Sequence, residues 1–127
     1  MRRIRSRDTR PELAVRKILR AQGFSGYRLH RKDLPGKPDV AYIGRRKTIF
    51  VHGCFWHGHD CKSGSRRPKT NTDYWLTKIE RNVQRDAVHS AALKGLGWRQ
   101  LVVWECEVKE PEKLKSRIKR FLGETER

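Results

Sequence analysis

An α/β fold, with a mixed central sheet flanked by helices, is predicted for this chain by three observations. Two short runs rich in β-branched and aromatic residues, Val40 to Ile43 and Thr48 to Val51, are separated only by Gly44-Arg45-Arg46 and neighbouring polar residues. A long helical periodicity from Thr72 to Leu96 then precedes another apolar run, Leu101 to Trp104. Helical signals stand at both ends of the chain. The first two strands are short enough to form a hairpin.

Taken in order, Thr9-Arg10-Pro11-Glu12 has the form of a capping box. Thr9 accepts from an orphan backbone N–H, Glu12 reaches back, and Pro11 suits a first turn. The helix runs to about Gln22, with Leu13, Ile18 and Leu19 as its main apolar contacts, and Gly23 ends it. Tyr27 to Arg31 reads as a short strand. In the long helix, Trp75, Leu76, Ile79, Val83, Ala87 and Ala91 recur at three- and four-residue steps. From Pro111, Leu114, Ile118, Phe121 and Leu122 mark a last amphipathic helix. The order α-β-β-β-α-β-α matches the restriction-endonuclease-like core, an order many folds share. At 127 residues the expectation is one domain, residues 1–127.

Thirty-one Lys and Arg against 14 Asp and Glu give a net charge of +17. A polyanion partner follows, because neutralising phosphates releases condensed counterions. Clusters at Arg2 to Arg7, Arg28 to Lys32, Arg45 to Lys47 and Arg66 to Lys69 are candidate phosphate contacts. No apolar run reaches 18 residues and no charged segment precedes an apolar one, so neither a membrane span nor export is expected. The expected location is cytoplasmic, with the nucleoid. Three cysteines cannot all pair internally, and in such a compartment they read as thiols or metal ligands. Lys62 to Thr70 is the most loop-like segment.

The run from His52 to Cys61 gathers three of the five histidines and two of the three cysteines around Phe55-Trp56. Cys54, His59 and Cys61 offer two thiolates and an imidazole. Cys106 directly follows the predicted last strand by two residues, and if that strand lies beside Thr48 to Val51 its sulfur closes a tetrahedral Cys₃His zinc site. His57 is the alternative ligand to His59. Zinc would then tie this loop to the far end of the chain and support a small domain whose surface repels itself.

A second group suits phosphodiester hydrolysis, which requires activated water, charge neutralisation and help for the departing oxygen. Asp39 follows Pro38 and opens a strand, where a carboxylate suits Mg²⁺. Many nucleases of this type carry a second acid and a lysine about a dozen residues on; here those positions hold Val51 and His52. Val51 still offers its backbone carbonyl to Mg²⁺. His52 and His57 titrate near neutrality and suit proton transfer. Glu12 serves either the cap or a histidine. Phe55 and Trp56 serve either the core or as a wedge between base pairs.

These residues carry a resemblance that spans nearly the whole chain. Met1 to Thr9, Leu34-Pro35-Gly36-Lys37-Pro38-Asp39, Val51-His52-Gly53-Cys54-Phe55-Trp56-His57, Tyr74 to Leu76, Trp98 and Val103-Trp104-Glu105-Cys106 resemble the very short patch repair endonucleases. That family nicks DNA at thymine–guanine mismatches left by deamination of 5-methylcytosine. The resemblance implies that Asp39 binds catalytic Mg²⁺, that His52 and His57 act in the chemistry, and that Glu12 supports them. It implies intercalation by Phe55 and Trp56, and by Met1 from an N-terminal arm. It also implies structural zinc on Cys54, His59, Cys61 and Cys106, and action as a monomer on mismatched double-stranded DNA. Two alternatives are a zinc-stabilised DNA-binding module without catalysis and a less specific restriction-type nuclease.

Overall fold

In the computed structural model, the described residues are 9–54 and 71–123. Their elements run α1 (Arg10–Ala21), β1 (Arg28–Leu29), β2 (Val40–Tyr42), β3 (Lys47–His52), α2 (Thr72–Gly95), β4 (Arg99–Trp104), a 3₁₀ turn (Glu105–Lys109) and α3 (Pro111–Gly123). The expected order is therefore met. The four strands form one sheet in the order β1-β2-β3-β4. β1 and β2, and β2 and β3, pair antiparallel, with Val40 opposite Ile49. β3 and β4 pair in parallel, bringing Val51 beside Val103 and His52 beside Trp104. This mixed α/β arrangement is consistent with a restriction-endonuclease-like core.

Alternation along β3 and β4 divides the sheet into two unlike faces. Ile49, Leu101 and Val103, with Val40 and Tyr42, meet Val15, Ile18 and Leu19 of α1 and Leu114, Ile118 and Leu122 of α3 in one apolar cluster. The alternate residues Phe50, His52 and Trp104 stand on the other face, and their rings contact in series. Gly36 brings Phe50 and His89 of α2 together on that side.

The first helix starts as expected and ends in a Schellman motif. The Phe24 N–H reaches the Leu19 carbonyl at 2.8 Å and the Gly23 N–H reaches Arg20 at 3.2 Å, with Gly23 at φ +81°. Of its expected apolar contacts Ile18 and Leu19 are buried and Leu13 is exposed; the inward side also carries Glu12, Val15 and Arg16. The capping box is also only half formed: Thr9 accepts from the Glu12 N–H, but the Glu12 carboxylate turns to Arg16. In α2 the expected Trp75 and Ile79 face inward, whereas Leu76 and Val83 are exposed and Ala87 and Ala91 lie outside. The inward stripe is Trp75, Ile79, Asn82, Asp86, His89 and Leu93. The strand expected over Tyr27 to Arg31 narrows to Arg28–Leu29.

A tight turn delivers the chain into β2. The Lys37 N–H donates to the Leu34 carbonyl at 3.0 Å, with Pro35 and then Gly36 at φ +79° in the two central positions. That is the pattern of a type II turn. A Cβ at Gly36 would lie 3.0 Å from the Phe50 ring and 3.1 Å from His89 Cβ. Gly36→Ala therefore meets both a backbone penalty and a clash, an expected loss on the order of 2–4 kcal/mol in chemical denaturation. An unchanged denaturation midpoint would show that the turn is not packed this tightly.

Two of the basic residues read as phosphate contacts have another use. Arg45 donates to the Leu122 carbonyl at 2.7 Å and Lys47 to the Phe121 carbonyl at 2.6 Å. Both satisfy the last carbonyls of α3, where cations are favoured. Lys47 is buried, so it is removed from the list of DNA contacts.

Candidate active site

Asp39 is placed by the turn before β2. One oxygen of its carboxylate accepts the Val51 N–H at 2.6 Å. A residue in an extended strand presents its N–H and C=O to the same edge, so the Val51 carbonyl faces the side from which Asp39 approaches. Burial, helped by the nearby Glu12 charge and opposed by the Val51 hydrogen bond and the Arg16 charge, pushes the Asp39 carboxyl up to about 7. Such a site favours a neutral acid until a cation arrives.

Glu12 enters from α1, three residues past its cap. Its Oε1 lies 3.3 Å from Arg16 Nη2, a buried pair one helical turn apart. The histidine found beside Glu12 is His30, at 3.7 Å. Arg16 Nη2 also lies 3.2 Å from His30 Nε2. His30 directly follows β1 with a left-handed backbone, φ +49°, and its N–H bonds the Asp39 carbonyl at 3.2 Å. Donor atoms of Glu12, His30 and Asp39 all fall within 4.8 Å of one another. In sequence His30 stands inside the Arg28 to Lys32 cluster expected to contact phosphate, and nothing there marks it or Arg16 as site residues.

His52 lies one residue beyond Val51, on the face covered by α2. Its Nδ1 stands 3.9 Å from Asp86 Oδ2, and its ring meets Trp104 edge-on with centroids 5.3 Å apart. At 3.9 Å Asp86 is beyond hydrogen-bonding distance of the His52 ring but close enough to act on it through its charge. Asp86 is thus a second residue that sequence reading missed, hidden on a helix stripe taken to be charged exterior.

The parallel pairing of β3 with β4 also brings the first and last candidate zinc ligands together. The Cys106 N–H donates to Cys54 Sγ at 3.4 Å. The Cys54 N–H in turn reaches Glu105 at 3.4 Å. Glu107 fixes the base of this turn by accepting from the Trp104 N–H at 2.8 Å and from Arg117 at 2.7 Å. Cys54 is buried and Cys106 half-buried. Met1, Phe55, Trp56, His57, His59 and Cys61 lie outside the described residues, as do the clusters Arg2 to Arg7 and Arg66 to Lys69.

No helix among the described residues is long and apolar enough to cross a membrane. The family model described as DNA mismatch endonuclease Vsr matches residues 1–63. A type II nicking enzyme of Xanthomonas oryzae pv. oryzae, V.XorIIP, is 51% identical over 122 residues, covering 96% of this chain and 88% of the relative. V.NmeAIP of Neisseria meningitidis, also a type II nicking enzyme, is 44% identical over 98% of this chain and 87% of its own length. The DNA mismatch endonuclease Vsr of Escherichia coli K12 is 45% identical over 114 residues, covering 90% of this chain and 72% of the relative. With its acid cluster and its histidine-bearing strand end, this chain is a DNA endonuclease and belongs to the Vsr family.

Proposed function

We propose that the chain nicks one strand of double-stranded DNA at T:G mismatches by Mg²⁺-dependent phosphodiester hydrolysis, acting as a monomer in the cytoplasm on the nucleoid. The observation that carries this reading is the Asp39 carboxylate, pinned to Val51 and joined by Glu12 at the edge where β3 delivers His52. A buried acid held near neutrality beside a second carboxylate suits a divalent cation better than it suits a structural role. The mismatch preference draws on the name borne by the E. coli relative.

Asp39 and the Val51 carbonyl would hold Mg²⁺, the former through the oxygen lone pairs not engaged by Val51 N–H. When bound, that ion supplies charge neutralisation at the phosphate and lowers the pKa of water. His52, with the Asp86 carboxylate 3.9 Å from its Nδ1, accepts a proton from the attacking water. His57 assists the leaving oxygen. Glu12, paired with Arg16, is the second carboxylate of the same site. Phe55, Trp56 and Met1 enter the base stack beside the mismatch.

Structural zinc on Cys54, His59, Cys61 and Cys106 completes the proposal. Support comes from the contact between Cys54 Sγ and the Cys106 backbone, since amide donors to a thiolate are the outer-shell contacts that orient metal ligands.

A strand-resolved nicking assay on T:G and C:G duplexes tests the reading. One nicked strand, on the T:G duplex only, is expected. Binding of the T:G duplex without any nick would favour a non-catalytic module, and equal cutting of C:G a restriction-type enzyme. Affinity should fall steeply with salt, by roughly 0.9 log units per decade for each phosphate neutralised; a flat response would count against binding through the DNA backbone.

A further inference from the structure

We propose that Glu12, His30 and Asp39 form a mixed divalent-cation site, with one nitrogen and two carboxylate donors, that favours a transition ion such as Mn²⁺ over Mg²⁺. This rests on the reading of Asp39 as a cation ligand and adds to it a nitrogen donor that neither the sequence pattern nor the Mg²⁺ chemistry calls for.

Three features support it. First, the geometry is nearly that of a coordination sphere. Donors about 2.0–2.2 Å from an ion lie no more than roughly 4.4 Å apart. Glu12 Oε1 and His30 Nε2 are already 3.7 Å apart, and the whole set spans at most 4.8 Å. Shifts of a few tenths of an ångström close it. Second, the backbone is committed to this placement. His30 holds a left-handed conformation that costs an L residue on the order of 1 kcal/mol, while its N–H is tied to the Asp39 carbonyl. Such outliers persist where surrounding contacts determine them, and they collect at binding sites. Third, a positive group is already there. Arg16 Nη2 sits 3.3 Å from Glu12 Oε1 and 3.2 Å from His30 Nε2.

Arg16 has a definite consequence for loading. Its guanidinium hydrogen-bonds Nε2, the nitrogen that an ion would take. The side chain must therefore withdraw when the ion enters. Glu12, Asp39 and Arg16 together contribute one net negative charge, so a divalent ion is only partly neutralised by protein. A DNA phosphate supplies the remainder, and occupancy should be higher with duplex bound. The donor type sets the preference. Mg²⁺ keeps oxygen ligands and waters, whereas imidazole suits first-row transition ions.

The test uses the full chain with bound T:G duplex and Mn²⁺ as probe. Pulsed electron paramagnetic resonance reports whether a nitrogen is directly bound to Mn²⁺, and titration gives the affinities of Mn²⁺ and, by competition, Mg²⁺. A nitrogen coupling is expected in the wild type. In His30→Gln it should be lost, with Mn²⁺ affinity down about tenfold and Mg²⁺ affinity within about twofold. Asp39→Asn should weaken both ions. No nitrogen coupling in the wild type, or a coupling and Mn²⁺ affinity retained in His30→Gln, would overturn the inference alone. Unchanged affinity for both ions in Asp39→Asn would overturn the reading of Asp39 beneath it.

Discussion

Asp39→Asn is expected to reduce nicking by ~10³-fold or more while making the metal-free protein more stable at pH 8. The two effects share one cause. Burial lifts the Asp39 carboxyl from an ordinary 3.8 to about 7 in the folded chain. Between those values the folded state binds the proton and the unfolded state has lost it. The contribution to stability is therefore fully present below about pH 4, declines as pH rises, and is gone above about pH 7. Three pKa units correspond to at most ~4 kcal/mol. Asparagine keeps an oxygen for the Val51 N–H and never ionises, so its advantage should be larger at pH 8 than at pH 5. Melting curves of the two proteins at both pH values measure this. A variant equally stable to wild type at both would mean that the buried charge carries no cost.

The other large effect concerns Cys106. Its replacement by alanine should lower bound zinc from about one per chain to none, and the melting temperature by ~10 °C or more. Structural zinc contributes ~10–16 kcal/mol of binding free energy in small folding units, against a typical folding stability of ~5–15 kcal/mol. The position of the cysteine explains the reach of the effect. Cys106 stands in the turn fixed by Glu107 and Arg117, 3.4 Å from Cys54 Sγ at the end of β3. Losing the cross-link would release that strand end, and with it the neighbours of His52. Chelation should reproduce the loss in the wild type and leave Cys106→Ala unchanged. Full stability of zinc-free wild-type protein would contradict a structural metal.

Element order, the hairpin, the mixed sheet and the placement of Asp39 were all legible in the chain. They depend on features that act locally: β-branched runs, the Thr9 cap, the Gly23 stop and the Pro35-Gly36 turn. What was hidden lay on helix faces. The inward stripe of α1 alternates Glu12 and Arg16 with Val15 and Leu19, and that of α2 carries Asn82, Asp86 and His89 between Ile79 and Leu93. Apolar periodicity reads such stripes as exterior, because a helix that faces a site must turn polar groups inward. Leu13 and Val83 were assigned inward for that reason. His30 was hidden differently, since nothing in Arg28 to Lys32 marks one residue as facing Asp39 until β1 pairs with β2.

The most direct test is the pH dependence of nicking at several Mg²⁺ concentrations that rise from below to well above its dissociation constant at high pH. The Asp39 carboxyl must lose its proton to bind the ion, so ion and proton compete for one group. Activity should rise through a midpoint near 7, and that midpoint should move toward acid by as much as ~1 pH unit for each tenfold increase in Mg²⁺. A midpoint that stays fixed across that range would show that the cation does not displace the Asp39 proton, and would contradict the site described.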